Sequence, residues 1–388
     1  MKKYLIIFGC LLSLQIAAQP LPRVAPGQGG LDPRRMQIAD ELIMQSIADN
    51  ETPGAVLAVV HKGRMAYLKA YGNRQTYPSA LPMEVNTIFD LASVSKSVAT
   101  GISTMILVER GQLRLTDRVN MYIPNFQGNA RVLDLLTHTS GLPSYANVDS
   151  MRRRFDFPNP DGLIEFIATC NRLFDPGVRF LYGCLNYIAL QRIIETVSGQ
   201  KLEDFARENI FNVLGMNSTT FRPTGALLPR VAPTERQPDG SVLRGVVHDP
   251  LARLINAGNS GNAGLFSDAE DLAILAVALM NGGIYNGKRF MSPLGVRVMT
   301  TIPESLAHVG RSPGWDVVSA YASNKGDLLG PNTYGHTGYT GTSMVIDPDN
   351  EIAVILLANR VHPEDTSSVV RLRALVANVV AASFDSVN

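Results

Sequence analysis

Cysteine is scarce in this 388-residue chain: three residues, Cys10, Cys170 and Cys184. So few cannot staple a chain of this length, so a disulfide framework is excluded and stability has to come from a hydrophobic core. A single Cys170–Cys184 bridge stays open as a local feature. Net charge is equally slight. Lys and Arg number 35 against 34 Asp and Glu, a formal charge of +1. That lacks the basic excess by which proteins hold nucleic acid or an anionic membrane. The six histidines show no metal-ligand spacing. Beyond the first 18 residues no apolar run is long enough to span a bilayer.

What is present is ordinary globular composition, 45% hydrophobic and 18% charged. The length suits one large domain or two smaller ones. The N-terminus reads as a secretory leader. Met1-Lys2-Lys3 supplies the positive start, residues 4–16 the apolar stretch, and Ala17-Ala18 the small residues before cleavage at Gln19. The stretch is short of the ~20 residues of a membrane anchor. Cys10 raises a lipoprotein alternative, but little apolar sequence precedes it. The expected mature protein lies outside the cytoplasm, periplasmic or secreted, with no stable membrane span. Removal of Lys2 and Lys3 leaves 33 basic residues against 34 acidic.

Residues 19–30 hold three prolines and three glycines and read as a flexible lead-in. Residues 31–50 follow as an amphipathic helix, with Met36, Ala39, Leu42, Ile43 and Ile47 at helical spacing. Pro53-Gly54 stops it. Two strands, 55–61 and 65–71, are joined by a Lys62-Gly63 turn. Residues 93–107 are apolar on most sides, the pattern of a buried helix. From 115 to 249 the pattern is short helices and loops, at 132–137, 162–170, 185–198 and 202–214. A helix at 267–280, strands at 343–346 and 352–357, and a helix at 367–382 complete the chain. The simplest architecture is an α/β (α+β) domain from residues 31–115 and 250–388, its sheet flanked by helices. An all-helical domain, 116–249, is inserted in it, and the cleft between them is the natural place for a site.

The segment Phe89-Asp90-Leu91-Ala92-Ser93-Val94-Ser95-Lys96 places Ser93 at a helix start and Lys96 one turn on. Positions three apart share a helix face. A serine hydroxyl is a weak nucleophile and needs a base beside it, and a buried lysine can be one. The pattern S-x-x-K alone is weak, since an N-cap serine with a solvated lysine gives it too. Here Lys96 lies among Val94, Val98 and Ala99, where an idle charge is costly. Two further segments add weight. One runs Pro176 to Tyr187 and contains Tyr182-Gly183-Cys184. The other is Tyr334-Gly335-His336-Thr337-Gly338-Tyr339-Thr340-Gly341-Thr342, glycine-rich and leading into a strand.

These three ordered motifs resemble the serine β-lactamase and penicillin-binding protein superfamily. The nearest branch is the class C β-lactamase-like group, with its esterases, D-amino-acid peptidases and muropeptide amidases. The resemblance runs from about Leu31 to the C-terminus. It implies a β-lactamase/transpeptidase-like fold with an antiparallel sheet, and acyl transfer through an acyl-enzyme. Ser93 would be the nucleophile, Lys96 the proton acceptor or its electrostatic partner, and Tyr182 the proton shuttle. His336-Thr337-Gly338 takes the K-T-G position, and the N–H groups of Ser93 and Tyr339 form the oxyanion hole. No metal or cofactor is called for.

Two departures bear on the substrate. Cys184 stands where the family's Y-x-N motif has Asn, so a weak thiol donor replaces an amide. Cys184 is read as lining the site, or equally as a small buried hydrophobe. His336 replaces lysine and is mostly neutral near pH 7, which weakens attraction for an anionic substrate and argues against an efficient β-lactamase. The expected substrate is a small ester or amide, or a peptide such as a peptidoglycan fragment. A true β-lactamase and a non-catalytic penicillin-binding-like module are the alternatives. His138 reads as structural, His248-Asp249 as a loop bonded to backbone, and Trp315 as packing. Arg360 and His362 receive no role.

Overall fold

The computed structural model describes residues 19–384, apart from 155 and 157. The leader assigned to residues 1–18 and its Cys10 lie outside the described residues. Helix α1, Pro33–Ala48, starts on a cap that the sequence supplies. Asp32 accepts the Arg34 N–H and Pro33 opens the helix. Strands β1 (Gly54–His61) and β2 (Arg64–Gln75) form the expected hairpin.

Eight strands make one antiparallel sheet. Beside β1 and β2 these are β3 (Leu81–Pro82), β4 (Arg311–Ser312), β5 (Trp315–Asp316), β6 (Tyr334–Thr337), β7 (Ser343–Asp347) and β8 (Ile352–Ala358). Their order is β3-β2-β1-β8-β7-β6-β5-β4. The centre joins the two ends of the chain, with Ala55 opposite Ala358 and His61 opposite Ile352.

Alternation along β1 and β8 separates two cores. Ala55, Leu57 and Val59 with Ile352, Val354 and Leu356 face α1 and α5, Val370–Ala382. Val56, Ala58 and Val60 with Ala353, Ile355 and Leu357 face α4, Ala269–Met280, and the larger core. Each Val, Leu or Ile among them contributes about 1.5–3 kcal/mol on burial. With helices on both faces, both sets of strand residues are apolar, which is why these strands read as continuous hydrophobic runs. The larger core continues through α2, Ile102–Glu109, into α3, Cys184–Ser198, of the helical middle. Among the described residues no helix is long and apolar enough to cross a membrane.

Four local readings change. Residues 19–30 are docked, not loose. The Val24 N–H donates to Met65 O and the Met65 N–H to Pro22 O, and Leu21 is buried. Proline and glycine here serve a tight path along β2. The apolar segment after Ser93 opens as a π-helical turn, Lys96–Gly101, before α2 begins. Helix Pro293–Thr300 and the β4–β5 hairpin had no clear sequence pattern. Cys170 and Cys184 are free thiols, not a bridge.

Candidate active site

Ser93 sits on a turn fastened from several directions. Phe89–Asp90 pairs with Phe266–Ser267, and the Leu91 N–H donates to Leu265 O. Ala92 then takes a left-handed conformation, φ 46°, a strained state for a residue with a Cβ. The buried Asp90 carboxylate holds it, accepting the Ala92 N–H at 2.8 Å and the His248 N–H at 2.7 Å. Asp90→Ala leaves both donors without an acceptor. It is expected to cost on the order of 2–5 kcal/mol in urea unfolding; a change within about 0.5 kcal/mol, the scatter of neutral surface substitutions, would sink this role.

The π-helical turn carries Lys96 inward, fully buried. Its ammonium donates to Ser93 Oγ at 3.0 Å and to the Asn262 carbonyl at 2.9 Å, with Cys184 Sγ at 3.7 Å. Burial opposes the charge, the negative charge that Cys184 and Tyr182 can carry and that of Asp249 favour it, and the balance lies above the usual lysine range. Three acceptors around Nζ match the three donors of an ammonium at rest. Tyr182 precedes α3, and its ring lies 5.1 Å from the Lys96 ammonium, in the same cavity as Ser93. Burial pushes this phenol up, while Lys96 opposes. Burial likewise pushes the Cys184 thiol up, while Lys96 opposes. His138 supports the assembly from behind. Its Nδ1 accepts the Gly183 N–H at 3.2 Å and its ring packs 4.6 Å from that of Tyr182.

Strand β6 brings the third motif. His336 and Thr337 are its last residues, and Gly338-Tyr339 turn over Ser93. A Cβ on Gly338 would stand 2.1 Å from Thr342 Oγ1 and 2.3 Å from Leu91 O. Only glycine permits that approach. Thr340 and Thr342 hydroxyls lock the turn to Asp90 O and Leu91 O, at 2.7 and 2.9 Å. Among the described residues neither the Ser93 nor the Tyr339 N–H has a hydrogen-bond partner, and both residues line the same cavity. Two free N–H groups over a nucleophile can stabilise a developing oxyanion.

The cavity has two adjoining lobes that share Ser93, Tyr182 and Tyr339. One, about 370 Å³, runs along Thr337 and Gly338 to Arg360 and Arg373. The other, about 440 Å³, holds Cys184, Tyr145, His248, Asp249 and Glu235. Cys184 thus lines the site. His336 lines neither lobe. It is buried, its ring 6.1 Å from that of Tyr182. Burial, then Arg311 and Lys96, push its pKa well below the usual histidine range, so it is neutral. His248 caps the Asp90 carboxylate with its backbone, and Asp249 accepts from Tyr145 at 3.2 Å. Trp315 is packed against Tyr334. His362 accepts the Thr76 N–H and is structural. Among the described residues no His, Cys, Asp and Glu cluster is arranged to hold a metal ion.

Sequence reasoning missed Asn262, Arg311 and Arg373. Arg373 left a signal. It interrupts the apolar stripe of α5, between Leu372 and Val376. Asn262 acts through its backbone and Arg311 lies in a hairpin without periodicity, so neither left one.

The beta-lactamase family model matches residues 39–378. This chain belongs to the beta-lactamase family. A curated Escherichia coli K12 protein, provisionally named a D-alanyl-D-alanine carboxypeptidase, is 31% identical over 92% of this chain and 90% of its own length. A Salmonella typhimurium LT2 protein with the same provisional name is 30% identical over 98% of this chain and 96% of its own. Two solved structures share the fold. EstCE1, a hydrolase with promiscuous acyltransferase activity, has TM-score 0.70 at 21% identity, covering 89% of this chain and 98% of that one. The octameric penicillin-binding protein homologue from Pyrococcus abyssi has TM-score 0.67 at 24% identity, covering 89% and 77%. As a member of the beta-lactamase family the chain is a serine hydrolase, and the antiparallel sheet flanked by helices is that family's fold.

Proposed function

We propose that this hydrolase is an extracytoplasmic carboxypeptidase-like enzyme, acting on short peptides that end in a free carboxylate. Ser93 Oγ attacks the carbonyl carbon and its proton passes to the Lys96–Tyr182 couple. The oxyanion is held by the Ser93 and Tyr339 N–H groups. Tyr182 returns the proton to the departing amine as the C–N bond breaks, leaving an ester on Ser93. Water then repeats the sequence with Ser93 as leaving group.

The observation that carries the substrate class is Arg373. Its side chain is nine-tenths buried in the lobe beside Ser93. One guanidinium nitrogen donates to Gly338 O at 2.6 Å, and among the described residues Nε has no partner and no carboxylate pairs with the charge. Burial, reinforced by Arg360, pushes its pKa down to about 10. An incoming carboxylate relieves that imbalance. Arg360, by contrast, is already paired with Asp365 at 2.6 Å. The positive charge absent at neutral His336 is thus available from α5. The relatives' provisional name agrees with this reading, and the leader-like residues 1–18 support the address.

The test is a matched pair, an N-acyl-D-alanyl-D-alanine peptide and its C-terminal amide. The acid is expected to be turned over at least roughly ten-fold faster in kcat/KM, as one charge-assisted hydrogen bond allows. Arg373→Gln is expected to erase most of that preference. Equal turnover of acid and amide, or faster turnover of neutral esters than of either, would replace this reading with an esterase.

A further inference from the structure

Two cations flank the ring of Tyr182. Lys96 Nζ stands 5.1 Å from its centroid and the guanidinium carbon of Arg311 5.6 Å from it. Arg311 comes from β4. It is completely buried, packs 5.8 Å from the Phe180 ring, and lines neither lobe of the cavity. It cannot touch a substrate. One carboxylate meets it, Asp316 on β5 at 2.6 Å, which also accepts from the Ser319 hydroxyl. The guanidinium is the member of this pair that lies against the phenol ring.

The other titratable groups around this cation and ring are Tyr187 of α3, His138, His336 of β6, Cys184 and Lys96. His138 and His336 are neutral: burial, then Arg311 and Lys96, depress both. Tyr321 stacks on Tyr182 at 4.7 Å. The hairpin cannot drift from this position, since the Ser97 hydroxyl, next to Lys96, donates to Gly314 O between β4 and β5. A buried ion pair is weak as a stabilising device, and apolar residues of like volume commonly do as well. Its placement calls for another role.

We propose that Arg311 is a positioning residue that biases the Lys96–Tyr182 couple toward releasing its proton, making the couple a base nearer neutral pH. At rest the couple is an ammonium and a phenol, with no group able to accept the Ser93 proton. Loss of one proton takes its charge from +1 to neutral. A fixed cation nearby favours that step whichever of the two atoms gives the proton up. The inference rests on Ser93, Lys96 and Tyr182 being the reacting groups.

The pH dependence of kcat/KM for a neutral activated ester, p-nitrophenyl acetate, tests it. Arg311→Lys keeps the charge and is expected to keep the midpoint of the rising limb. Arg311→Gln combined with Asp316→Asn keeps a neutral, hydrogen-bonding pair and is expected to move the midpoint up by about one pH unit or more, with rate regained at higher pH. Asp316→Asn alone leaves Arg311 unanswered and is expected to move it down. Shifts of opposite sign are not a signature of damaged packing. A midpoint unmoved in folded Arg311→Gln/Asp316→Asn, or in Asp316→Asn if the double variant does not fold, overturns the role of Arg311. If turnover in these assays persists in Ser93→Ala, the reading of the reacting groups falls as well.

Discussion

Ser93→Ala loses the reaction and keeps the fold. Removing the nucleophile of an acyl-enzyme pathway is expected to lower kcat by about 10⁴–10⁶, because Lys96 and Tyr182 act only through that oxygen. The fold should tolerate the change. Ser93 is partly exposed at the cavity, and its turn is held by Asp90, Thr340 and Thr342, not by its own hydroxyl. The melting temperature should therefore stay close to that of the parent. Fluorophosphonate treatment followed by peptide mass mapping gives a second readout. The parent should carry the adduct on Ser93 and the variant none. A parent left unlabelled while folded would mean an unactivated hydroxyl, and a binding module in place of an enzyme.

Gly338→Ala should be the next most damaging change, though it removes no atom. The added methyl meets Thr342 Oγ1 and Leu91 O well inside contact distance. Neither can retreat easily, since those two groups are hydrogen-bonded to each other at 2.9 Å. The Gly338-Tyr339 turn has to lift, and the Tyr339 N–H goes with it. Loss of one oxyanion donor costs about 10²–10³ in kcat. KM is expected to rise as well, by less than kcat falls, because Arg373 loses its Gly338 O acceptor while the lobe walls remain. A normal kcat in folded Gly338→Ala would show that Tyr339 is not the second donor. Thr342→Ser offers a contrast, since it keeps the hydroxyl that ties strand β7 to the nucleophile turn.

Much of the fold was legible because its signals are local. α1 declares itself by spacing and by its Asp32-Pro33 start, and β1, β2, β7 and β8 by apolar runs between turn residues. The motifs stood out because they place residues unusual for their surroundings, a lysine in an apolar run and repeated glycines before a strand. Lys96 sits in a buried turn and Gly338 faces a carbonyl. What stayed hidden depends on distant partners. β4 and β5 are two residues long and owe their place to pairing with β6. Asn262 contributes a carbonyl, which any residue carries. Residues 19–30 have the composition of a loose tail, yet the exposed edge groups of β2 give them hydrogen bonds. The charge argument from His336 was sound locally, since that ring is neutral. It missed a compensating cation 37 positions away in sequence, on α5.

The fastening of the nucleophile turn also sets the order in which this molecule can come alive. Hydroxyls of Thr340 and Thr342 reach Asp90 and Leu91 across about 250 positions of chain, and β1 finds its partner β8 only near the end. The fastenings made earlier in the chain, to Leu265, Phe266–Ser267 and His248, leave the turn without its Thr340 and Thr342 locks and the site without the Tyr339 N–H. The growing polypeptide is therefore catalytically silent until nearly its whole length is available, and closure of so long a loop is slow. Premature termination ahead of residue 339 removes the second oxyanion donor together with both threonine locks, so a truncated product is expected to be inactive.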